Sequence, residues 1–122
     1  MFEKLVSTLL ESRTQAHIFH WQTKGTGSYA AHVALQAYYD GIIPLVDGLV
    51  ESYQGKNGIS TGYISPEKFA DASTGNILKY FKALAIFVEK SQGKFKETWI
   101  QNQIDTITEL IYSTVYKLEN LS

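Results

Sequence analysis

The 122 residues, 44% hydrophobic and 19% charged, fit one domain able to bury a core without staples. The absence of cysteine excludes disulfides, thiolate metal sites and cysteine nucleophiles, and a net charge of −1 gives no general attraction to nucleic acid or to an anionic membrane. Glu3 and Glu11 interrupt the apolar run a signal peptide needs, and no stretch approaches the ~18 apolar residues of a membrane span, so a cytoplasmic protein is expected.

The apolar period is helical almost throughout. In the first segment Phe2, Leu5, Val6, Leu9, Leu10, Arg13, Ala16, His17 and His20 recur at steps of three and four. Lys24-Gly25 stops that helix, and Ser28 is placed to cap the next. The second helix is predicted from about Ser28 to Tyr53, with Leu35, Tyr39, Ile42, Val46, Leu49, Val50 and Tyr53 as its apolar stripe. Pro44 removes the bond to the Asp40 carbonyl and is expected to bend it, and Gly41 and Gly48 each weaken it by roughly 1 kcal/mol relative to alanine. Residues 54–73 form the one long connection, in which Asn57-Gly58 marks a turn and Ser65-Pro66-Glu67 a cap for a short helical turn through Ala72. A third helix is expected from Ser73 or Thr74 to Gln92, burying Ile77, Leu78, Phe81, Leu84, Ala85 and Val88. A fourth is expected from near Lys94 onward, burying Phe95, Ile100, Ile104, Ile107, Leu110, Ile111, Val115 and Leu118. Four amphipathic helices with one longer middle connection predict an all-α four-helix bundle, and that connection favours a crossover over simple up-and-down order.

The second helix also carries a row of polar groups. At ~100° per residue, Gln36, Asp40, Asp47 and Glu51 fall about 40°, 80°, 60° and 100° from His32, beside the apolar stripe. On the wheel alone a solvated face is the ordinary reading. His32 and Asp47 are fifteen residues apart, about 22 Å along the axis at ~1.5 Å per residue, so one chain cannot put both on one ion. A two-fold dimer with antiparallel second helices could, twice by symmetry.

The run His20-Trp21-Gln22-Thr23-Lys24-Gly25, followed by Tyr29, His32, Tyr39, Asp47 and Glu51, resembles the Dps-like miniferritins, a branch of the ferritin-like fold. His20 to His32 is twelve residues, His32 to Asp47 fifteen and Asp47 to Glu51 four, and these are that family's spacings. The resemblance covers residues 13–53 and implies a ferritin-like four-helix bundle with one longer crossover connection. It implies iron (Fe2+/Fe3+, with zinc as a surrogate) bound between two-fold-related subunits and oxidised by oxygen or peroxide. The product would be stored in a homo-oligomer, in the family a dodecamer. His20 and His32 would come from one subunit, Asp47 and Glu51 from the other, with Trp21 close by. Where the family usually has an aspartate four residues after the second histidine, this chain has Gln36, a poorer ligand, with Asp40 one turn further. The short chain also resembles small ferritin-like phage proteins, and with them a non-catalytic helical assembly is the alternative function.

Other motifs carry less. Gly25-Thr26-Gly27-Ser28-Tyr29-Ala30 matches a dinucleotide fingerprint but lacks the strand that must precede it. Glu-x-x-His is absent, which argues against a di-iron centre inside one bundle. His17 is read as a core histidine. Lys90, Lys94 and Lys96 cluster at the third turn as dipole complements, and DNA binding is not expected.

Overall fold

The computed structural model describes residues 1–73 and 76–121. Among these lie four helices and no strand: α1 (Phe2–Gln22), α2 (Ser28–Asn57), α3 (Ile77–Gln92) and α4 (Thr98–Asn120). The turn from α1 to α2 needs two glycines at positive φ, Gly25 at 89° and Gly27 at 79°, a region side-chain-bearing residues avoid. It folds α2 back antiparallel against α1.

The connection after α2 then climbs beside α1 in α1's own direction. It is extended rather than helical, and α1 side chains hold its backbone. The Ser60 hydroxyl donates to Glu3. The Ile64 N–H donates to the Ser7 hydroxyl at 2.9 Å. Gln15 clamps Ala70 from both sides, accepting its N–H at 2.8 Å and donating to its carbonyl at 2.9 Å. Gln22 accepts the Ala72 N–H at 2.8 Å. This strap delivers the chain to the end of the bundle where α1 finished, so α3 descends beside α1. Tyr80 meets Phe19 with ring centroids 5.8 Å apart, and Lys4 sits 5.9 Å over the Phe87 ring. The fourth helix then rises against both α2 and α3. Gln103 reaches Ser52, Lys56 pairs with Glu97 at 2.7 Å, and Lys82 pairs with Glu119 at 3.4 Å. The order is therefore up, down, crossover, down, up.

The core sits between all four helices. Leu5, Leu9, Phe19, Leu35, Tyr38, Ile42, Leu49, Phe81, Ile100, Ile104, Ile107 and Ile111 are fully buried, each contributing about 1.5–3 kcal/mol of transfer free energy. One polar pair crosses this interior. Ser12 gives its single proton to the Leu9 carbonyl at 2.7 Å, so the Tyr38 hydroxyl, 2.6 Å away, must donate to the Ser12 oxygen. Burial pushes the Tyr38 phenol far up, which keeps it neutral. Gly41 faces α4, where a Cβ would lie 3.4 Å from a Leu110 methyl, at the edge of ordinary contact.

Several expected boundaries shift. Helix α2 runs four residues past Tyr53 and is continuous through Gly41, Pro44 and Gly48. Its N-cap is Gly27, not Ser28. The expected helical turn after Pro66 does not form: Glu67 lies in a bend and residues 68–71 carry no regular structure, with the Ala70 and Ala72 backbone bonded to Gln15 and Gln22 of α1. Of the expected starts of the third helix, Ser73 lies in a turn and Thr74 lies outside the described residues; the helix begins at Ile77, where the Asn76 side chain caps the Lys79 N–H at 3.0 Å. The fourth begins at Thr98 rather than Lys94. Residues 94 and 95 instead close a turn, and the Phe95 ring packs edge-on to Phe2 and Tyr53. Leu10, counted in the first apolar stripe, faces outward.

Candidate functional site

The two helices of the first hairpin bring His20 and His32 into direct contact. His20 lies on the last turn of α1 and His32 on the second turn of α2, so the tight glycine turn sets them side by side. Their rings stack with centroids 3.5 Å apart and 20° between planes. His20 Nδ1 lies 2.7 Å from the His32 carbonyl oxygen, and His32 Nδ1 lies 2.9 Å from the His20 carbonyl oxygen. A carbonyl only accepts, so both Nδ1 atoms carry protons. In the neutral ring that leaves the lone pair on Nε2, the atom a metal takes. Neither Nε2 has a hydrogen-bond partner among the described residues. A backbone carbonyl behind each imidazole is the arrangement that fixes tautomer and ring orientation at metal sites.

A ladder of rings leads away from this pair. Tyr39 stands edge-on to His20 at 5.4 Å. His17 stacks on Tyr39 at 4.3 Å and meets Trp21, tilted by 39°, at 4.2 Å. His17 is thus half-buried in a surface stack, not a core residue as expected, and Trp21 is 68% exposed beside it. The helical spacing of His17, Trp21 and Tyr39 was visible, but which rings meet depended on how the two helices pair.

Gln36, Asp40, Asp47 and Glu51 all lie exposed on the outer face of α2. None has an ion-pair or hydrogen-bond partner among the described residues, and no group of three or more His, Asp or Glu converges within the described part of one chain. The structure therefore joins His20 to His32 but does not bring Asp47 or Glu51 to them. The bundle interior offers no substitute: its buried polar residues are Ser7, Ser12, Gln15, His20, Ser91 and Thr114, with no carboxylate among the described residues. A cleft of about 730 Å³ at the α1–α2 turn, between Trp21, Lys24, Ser28 and Asp71, has one acid and no histidine in its lining.

Residues 20–118 match a family of unknown function, DUF5856. The chain belongs to that family. The matched stretch of this DUF5856 chain opens at His20 and contains all six candidate residues, whereas most of α1 precedes it. No curated protein and no solved structure matches the chain. No helix among the described residues is long and apolar enough to cross a membrane.

Proposed function

We propose that this DUF5856 chain is a Dps-like, ferritin-like protein that binds Fe(II) between two copies and oxidises it. The observation that carries the reading is the exchange of Nδ1–carbonyl hydrogen bonds between His20 and His32, which orients two unpartnered Nε2 atoms on adjacent rings. Two imidazoles are half of a mixed nitrogen and oxygen set that suits Fe(II). The other half is Asp47 and Glu51 of a second copy, reached when two α2 helices pair antiparallel. The one-crossover helix order supports the ferritin-like assignment. So does the outer face of α1 and α2, where Leu10, Val33 and Ile43 stand exposed among polar groups. Gln36 supplies no charge to the site, and Asp40 is the nearest carboxylate on the same helix.

The test is anaerobic Fe(II) titration of the purified protein, followed by oxygen or peroxide, with the particle mass measured in parallel. Rapid ferric colour from wild type, lost in His32→Ala and Glu51→Ala, is the expected result. Colour no faster than in buffer removes the oxidase reading and leaves a helical assembly without catalysis. A mass near twelve chains would extend the reading to storage in a closed shell.

A further inference from the structure

We infer that divalent metal controls the association of this chain: it is a monomer when metal-free and pairs through the outer α1–α2 face when the ion binds. The inference rests on the reading above and adds its regulation. Its starting point is the charge on that face. Between Lys24 and Lys56 the chain has no lysine or arginine, while Asp40, Asp47 and Glu51 all point outward. These carboxylates are unpaired among the described residues. Neighbouring cations are drawn elsewhere. Lys4 lies over the Phe87 ring on the α3 side, and Lys24 lines the cleft at the turn. Among the described residues, Arg13 is the cation that shares a groove with Asp47.

The same face is shaped to meet a second copy. Leu10, 52% exposed, stands between two shallow grooves of about 330 and 390 Å³, both floored by Val46. Two-fold pairing sets the imidazole end of each α2 against the carboxylate end of the other. It also gathers six carboxylates against two guanidiniums in a partly desolvated seam, where unbalanced charge is most costly. The excess of four negative charges is the charge of two divalent ions, one for each His20–His32 pair. The ligand end is already set: His20 is only 7% exposed and its ring is held by the His32 carbonyl, while its Nε2 has no partner among the described residues. Repulsion therefore opposes pairing without metal, and the ion supplies both the bridge and the missing charge.

Sedimentation velocity in EDTA, in Zn2+ and in anaerobic Fe2+ tests this, with metal binding titrated separately. In EDTA the expected species is the 13.7 kDa chain. With Zn2+ or Fe2+ at a hundred times its Kd the mass at least doubles, and association strengthens about 100-fold per site. Mg2+ at matched ionic strength leaves the monomer, because imidazole is a poor Mg2+ ligand. His32→Ala abolishes the response. Asp47→Asn/Glu51→Gln, which alters two exposed positions, pairs in EDTA and no longer responds to metal. Equal association with and without Zn2+ overturns the inference, and a retained binding isotherm then leaves the iron reading standing; Zn2+ binding at an unchanged 13.7 kDa mass overturns both, because the iron site needs two copies. No binding and no change in mass overturns both.

Discussion

Replacing Gln15 with methionine isolates what holds the crossover. The Gln15 side chain is 2% exposed and spends both ends of its amide on one residue, accepting from the Ala70 N–H at 2.8 Å and donating to its carbonyl at 2.9 Å. Methionine keeps nearly the same length and volume, so no sizeable cavity is added. What is lost is two neutral hydrogen bonds at about 1 kcal/mol each, near 2 kcal/mol in total. Ala70 itself is exposed, so water can take over its freed groups and the loss should not exceed that sum by much. A change of about 2 kcal/mol corresponds to roughly thirtyfold in an opening equilibrium. The expected outcomes are an unfolding free energy lower by about 2 kcal/mol in urea and Ala70 amide exchange faster by about thirtyfold. A stability change under about 0.5 kcal/mol with unaltered Ala70 exchange would refute the claim that this side chain fastens the strap.

Three further outcomes follow from the same geometry. Ser12→Ala should destabilise more than Tyr38→Phe, about 1–3 against about 1 kcal/mol, because the first strands a buried phenolic donor and the second removes it; urea titration giving the reverse order would contradict the assigned proton directions. Gly48→Ala should raise the thermal midpoint by a few degrees, since nothing lies within 4 Å of the added Cβ and alanine gains up to ~1 kcal/mol in a helix; a lower midpoint would mean the position is constrained after all. The Ser60 hydroxyl holds the Glu3 carboxyl below its ordinary value of 4.5. A depressed carboxyl stabilises the fold above that value and loses its contribution as pH falls through the lowered one, so strap exchange near Ser60 should quicken only in acid, and Glu3→Gln should remove that pH dependence.

Helix number, order and most core positions were legible because they rest on local periodicity. The isoleucines of α4 step through the sequence at three and four, and they line the core. The strap was not legible. Ser65-Pro66-Glu67 is a sound local helix start, but its surroundings are set by Ser7, Gln15 and Gln22, some fifty residues earlier. Tyr38 was passed over for Tyr39 because both fit the stripe, and only the pairing of Tyr38 with Ser12 decides which hydroxyl can be buried. The candidate site divides in the same way. The twelve-residue spacing of His20 and His32 brackets one tight turn and so announces proximity. The mutual use of each other's carbonyl depends on the helix register across that turn. Asp47 and Glu51 belong to relations between copies, and a single chain leaves them in solvent.

The crossover has one more consequence. It is the sole covalent tie between an α1–α2 hairpin and an α3–α4 hairpin, and its middle, from Thr61 to Ser65, is exposed. A protease nick there would cut the covalent link while the shared core still holds the two hairpins together. Such halves are natural partners for reassembly in trans, which makes this connection a ready place to divide the protein into a two-piece reporter.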